Sequence, residues 1–278
     1  MNPVEKELYN LTNIPEEFIS AVEVANKKVF DSVLKLLSEL EQKDGYIIPN
    51  KANLQKIELI AEQIRTTLLE GDYVKALTEY TKTFEAHGQV VLETFDIGAK
   101  LSDNPFYKDL IKQTQRNVLE LFDASAIEFQ LVSPIKDILT NSISSSMKFS
   151  DAVKSIRDFI EGSDTVEPRL LKYANVYARD AFSIFDRSFT QVVNKEYDIK
   201  YWEYAGGIVK GTREFCKNKV GKAFTDDEVR SWAKDDWQGK NSNTTAQSIF
   251  TYLGGYNCMH VLLPISKERY AQHHGTPS

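Results

Sequence analysis

The sequence predicts a mainly α-helical fold that ends in a small α+β module, and three observations lead there. Apolar residues recur at helical spacing through most of residues 1–197. All three tryptophans and both cysteines then fall between Tyr201 and Ser266, with most of the glycine punctuation. In that same stretch aromatic and β-branched runs suited to short antiparallel strands replace the helical period. The expected organisation is a helical region over 1–164 containing a bundle, a long connecting helix over 165–197, the module over 198–266 and a mobile tail over 267–278.

The elements follow in order. Asn13-Ile14-Pro15-Glu16 reads as a helix start, with Asn13 as cap, Pro15 in the first turn and Glu16 completing a capping box. Phe18, Val22, Ala25, Val29, Val33, Leu36 and Leu40 carry its stripe until Lys43-Asp44-Gly45. A second helix places Leu54, Ile57, Ala61, Ile64 and Leu68 on one face, and Gly71 stops it. A third runs from about Tyr73 to Phe95, and the short links suggest an antiparallel bundle of the three. Asp103-Asn104-Pro105 opens a fourth, expected to reach about Glu128. Weaker helical patterns follow from Ser133 and Ser150. Pro168 opens the long helix, which carries Phe182, Phe185, Phe189, Arg169, Arg179 and Arg187. Ile199 to Tyr204 reads as a strand, Gly206-Gly207 as a turn, Ile208-Val209 as a returning strand, and Met259 to Leu263 as the last strand.

Composition excludes several function classes. A net charge of −6 over 278 residues argues against a large DNA-coating surface, though not against a local basic patch. Two cysteines are too few for a disulfide scaffold. No apolar run is long enough to span a bilayer, so no membrane partner is expected. The N-terminus is charged where a signal peptide needs an apolar core, so the protein is expected to stay in the compartment where it is made.

The residues able to carry chemistry cluster in the module. Cys216, Cys258 and His260 offer ligand types for a structural zinc, with His273 or Asp235 as a fourth donor. A Cys216–Cys258 disulfide and two separate thiols are the alternatives. Arg213, one turn before Cys216, can lower a nearby thiol's pKa, or it can tie the helix to a strand end. Asp226, Asp227, Glu228, Asp235 and Asp236 can bind magnesium, yet Thr225-Asp226-Asp227-Glu228 explains itself as a capped helix start. Trp202, Trp232, Trp237, Tyr201, Tyr204 and Phe224 can stack bases, but a module this small needs them as core. The long helix's arginines read as solvated or paired, or as contacts to nucleic acid or a partner's acidic surface. His87 reads as structural.

These residues, in this order, resemble a known family. The helix YARDAFSIFDRSFTQVV leads to Trp202, Thr212-Arg213 before Cys216, and Gly221-Lys222 before Phe224-Thr225. Then come Asp226 to Glu228 and a closing Asn257-Cys258-x-His260 with Pro264. The order is similar to the C-terminal module of Mu F-like head morphogenesis proteins, minor head proteins of tailed bacteriophages. The likeness covers roughly residues 179–266, and Met259 stands where many members carry an arginine. It implies a non-enzymatic virion protein made in the host bacterial cytoplasm and present in multiple copies. Its implied partners are the portal or major capsid protein, with DNA contact during packaging or ejection. Trp202, Thr212, Arg213, Thr225, Glu228 and Pro264 would be structural motif positions, with no catalytic or cofactor-binding residue. The competing reading is a metal- or thiol-dependent enzyme built on Cys216, Cys258 and His260.

Overall fold

The computed structural model describes residues 1–96, 98, 100, 101 and 104–275. Asp103, read above as part of a helix start, lies outside them. The chain is mainly α-helical with a small C-terminal α+β module, as its periodicity predicts. It divides into two compact units.

One unit comprises Glu16–Thr81 and Asn117–Tyr177. It takes most of α1 (Pro3–Leu37), then α2 (Lys51–Leu69) and the start of α3 (Asp72–Thr94). The end of α4 (Pro105–Leu121) belongs here too, followed by α5 (Ala124–Ile127), a π-helical turn over Glu128–Val132, α6 (Ser133–Ser144) and α7 (Phe149–Ile160). Between α1 and α2, β1 (Gln42–Lys43) and β2 (Tyr46–Ile47) form a hairpin. Asp44 and Gly45 turn it at φ 53° and 80°, the left-handed pair a two-residue hairpin requires. Helix α2 is capped by Asn50 and packs mainly on α6. Phe18 stacks on Tyr80 at 4.9 Å and meets Phe122 edge-on at 5.0 Å, giving the unit an aromatic core.

Three expectations for this region change. The first helix starts at Pro3 instead of Asn13, and Pro15 lies inside it. Its capping box is Asn2 with Glu5, and Asn13 donates its side-chain amide to the Tyr9 carbonyl. The helix from Pro105 stops at Leu121, where Asp123 accepts from the amides of Ser125 and Ala126 and caps α5.

The other unit comprises Met1–Pro15, Lys82–Arg116 and Ala178–Ser278. Its helical part includes most of α8 (Arg169–Tyr197), where Phe84 meets Phe182 and Phe185 edge-on at 5.1 Å each. Its module is a three-stranded antiparallel sheet in the order β4 (Ala223–Thr225), β3 (Tyr201–Ala205), β5 (Val261–Pro264). Around the sheet lie α9 (Glu214–Lys217), α10 (Asp226–Ser231), α11 (Ile249–Tyr252) and α12 (Lys267–His273). Ile208 and Val209 form no returning strand. They sit 58% and 68% exposed in a loop, and β3 pairs with β4 and β5 instead. The expected mobile tail is partly helix α12, capped by Ser266 and tied to β3 by Arg269 on Glu203 at 2.7 Å.

Candidate metal centre

The module's core assembles residues that are far apart in sequence. Trp202 and Tyr204 alternate inward from β3, as a half-buried strand requires, and are fully buried. Phe215 and Cys216 enter from α9, Trp232 follows α10, and Ile249 and Phe250 enter from α11. Phe215 stacks on Trp237 with ring centroids 3.9 Å apart. Trp202, Tyr204 and Trp232 are therefore core, Phe224 and Trp237 pack half-buried against it, and Tyr201 stands half-buried against Tyr270. Thr225 and Glu228 make the capping box in full. Asp226 accepts from the Trp202 indole at 3.1 Å and pairs with Arg230, so it belongs to the helix start and its lock on the sheet. Asp235 and Asp236 are exposed.

Cys216, Cys258 and His260 converge inside this core. All three are buried, and their donor atoms lie within 4.8 Å of one another. Cys216 Sγ stands 4.0 Å from Cys258 Sγ, and Cys258 Sγ stands 3.6 Å from His260 Nδ1. Both cysteines are free thiols, so the disulfide alternative does not describe this structure. Two sulfurs and an imidazole nitrogen form a donor set suited to a thiophilic d10 cation, and the buried group could hold a metal. Neither suggested fourth donor joins the group: His273 faces the Glu203 carboxylate at 3.6 Å, and Asp235 is on the surface.

Several elements hold the thiols in place. Gly254 packs directly on them, since a Cβ there would overlap Cys216 Sγ and stand 2.9 Å from Cys258 Sγ. Gly206, at φ 139°, lets the chain pass over the His260 ring. Arg187, read from sequence as solvated, paired or in contact with a nucleic acid or acidic partner, is buried and donates to the carbonyls of Cys258 at 3.1 Å and His260 at 3.5 Å. Asp180, two turns earlier on α8, accepts from the backbone amide of Asn257 at 2.6 Å. Arg213 ties the loop before α9 to the Tyr256 carbonyl at 2.7 Å, the structural role weighed against thiol activation. The hydrogen bond to Cys258 and burial push Cys216 up, and the hydrogen bond from Cys216 holds Cys258 down.

A second buried polar group lies in the same unit. His87 Nε2 meets Asp186 Oδ1 at 2.8 Å, and Asn10 reaches His87 Nδ1 at 3.2 Å, so His87 is structural as expected. Glu7, absent from the sequence reading, is buried beside Asp186. Its polar role was hidden because it lies before the expected start of the first helix.

No family model, curated protein or solved structure matches this chain.

Proposed function

We propose that the chain is a structural minor head protein of a tailed bacteriophage, acting with the portal or inner capsid in head assembly or DNA packaging and ejection. One observation supports the reading above the others. The positions that carry the Mu F-like resemblance meet in a single packed module. Trp202 and Pro264 are register partners across β3 and β5, and Thr225 and Glu228 cap α10. Cys216, Cys258 and His260 form one buried group.

Docking on a portal or capsid protein needs exposed apolar surface, and the helical unit formed by Glu16–Thr81 and Asn117–Tyr177 has a candidate. A groove of about 580 Å³ is lined by Leu121, Ala126, Phe129 and Tyr173 among others, with Phe129 69% exposed. In the same reading the Cys216–Cys258–His260 group holds a structural zinc that locks the module's loops to its sheet. The protein would then reside in the virion, after assembly in the bacterial cytoplasm.

Quantitative mass spectrometry of purified particles, with the portal protein as reference, tests the reading. A fixed ratio to the portal is expected. Absence from both mature particles and assembling heads would overturn it and favour the enzyme alternative.

A further inference from the structure

We infer that Tyr204 is the fourth donor of the metal centre, so that Cys216, Cys258, His260 and the Tyr204 phenol oxygen form a closed, four-coordinate site for a divalent d10 ion. The inference rests on the zinc reading of the buried group and says how that group is completed.

The geometry centres on Cys258 Sγ. Its distances to the other three donors are 4.0 Å to Cys216 Sγ, 3.6 Å to His260 Nδ1 and 3.9 Å to the Tyr204 hydroxyl. With metal–sulfur bonds near 2.3 Å, a tetrahedral site places two sulfurs about 3.8 Å apart and a sulfur about 3.5 Å from a nitrogen or oxygen ligand. The observed separations exceed those edges by only a few tenths of an ångström. Three edges meet at Cys258 near tetrahedral length, and the Cys216, Cys258 and His260 donor atoms all lie within 4.8 Å of one another.

The surroundings of Tyr204 point the same way. The residue is fully buried, and its hydroxyl faces the two thiols. Thiols are weak hydrogen-bond partners, so a buried phenol aimed at a pair of them is poorly satisfied unless something stronger occupies the space between. Its ring is stacked against the His260 imidazole with centroids 5.4 Å apart, so the two side chains pack together beside Cys258. Charge is consistent with this donor set. A divalent ion, two thiolates and a phenolate carry one net negative charge, and the guanidinium of Arg187 lies against the backbone of the same loop. With four protein donors the site has no open position. It can lock the module but cannot present a metal-bound water to a substrate.

The test uses the full chain loaded with cobalt(II), whose visible spectrum reports coordination number, together with zinc content by elemental analysis. The wild type is expected to bind one ion, to show the intense d–d bands of a tetrahedral site, and to be insensitive to added azide. Tyr204→Phe keeps the ring and removes the oxygen. It should bind cobalt more weakly by more than the roughly 10- to 100-fold that losing a mere outer-shell partner of a ligand costs, and its spectrum should shift on addition of azide. A wild-type spectrum that already shifts with azide would mean an open fourth position and would overturn the inference while leaving the metal reading intact. So would a Tyr204→Phe protein with unchanged affinity and spectrum. Failure of the wild type to take up zinc or cobalt would remove the metal reading and the inference with it. The azide titration of the wild type decides the matter even if the variant does not fold.

Discussion

Gly254 is where a single atom matters most to the module. Its α-carbon hydrogens are all that separates the backbone from Cys216 Sγ and Cys258 Sγ. Gly254→Ala forces a methyl group into a packed core, a change that costs about 1–3 kcal/mol where neighbours cannot move aside. The expected result is a lower urea midpoint for tryptophan fluorescence. An unchanged midpoint would show that the sulfurs have room to retreat. Glu7 makes a different kind of prediction. Burial, and then the neighbouring Asp186, push its carboxyl well above the usual carboxylate range, against a hydrogen bond from Thr94 that lowers it. The sign follows from proton counting. Above about pH 4.5, the ordinary value for Glu, the unfolded chain has released this proton and the folded chain still holds it. Stability therefore falls as pH rises through that window, by about 1.4 kcal/mol per pH unit for one group. Glu7→Gln removes the proton from the comparison. The variant is expected to be more stable than the wild type at pH 7, with the difference shrinking toward zero near pH 4. Parallel stability curves across that range would refute the assignment.

At the scale of elements, helix α1 shows how a local signal misleads. Asn13-Ile14-Pro15-Glu16 has the composition of a helix start, but the chain is already helical there, from a capping box at Asn2 and Glu5. Proline inside a helix supplies no N–H to the carbonyl four residues back, here that of Leu11, and crowds it. Pro15→Ala restores both, and the expected effect is a stabilisation of about 1–3 kcal/mol, read as a rise in the midpoint of thermal unfolding by circular dichroism. Destabilisation would mean that the proline's bend is needed for packing. The same contrast runs through the rest of the chain. Long amphipathic helices such as α2 and α8 were legible because their stripes are set by near neighbours. So was α10, whose Thr225–Glu228 box spans three residues. Ile208-Val209 has strand composition, but it is exposed and pairs with no strand among the described residues, and pairing is a property of two segments. The sheet instead joins β3 to β4 and to the distant β5.

Across the whole molecule, what the sequence could not show is convergence. Cys216 and Cys258 are 42 residues apart, Tyr204 and Cys258 54, and Arg187 and Cys258 71. The cysteines and histidine were recognisable by type, because few residues make good ligands for a soft cation. Tyr204 and Arg187 were not, since tyrosine reads as core and arginine as surface until the fold brings them to the thiols. This placement also separates two optical signals. All three tryptophans belong to the module's core or pack against it, so their fluorescence reports that core. Far-ultraviolet ellipticity reports the helices, most of which lie before residue 198. An ion that binds only the folded site stabilises it by about 2.7 kcal/mol when present at 100 times its Kd. If the buried Cys216, Cys258 and His260 hold such an ion, removing it with a chelator is expected to move the tryptophan-detected urea midpoint down while the helical signal in the absence of urea stays near its starting value. Re-addition of zinc should restore the midpoint. If chelation leaves the fluorescence transition where it was, the thiols, the imidazole and the phenol hold the module by packing alone. If instead ellipticity and fluorescence collapse together, the module and the helices unfold as one cooperative unit, and the ion stabilises the chain as a whole.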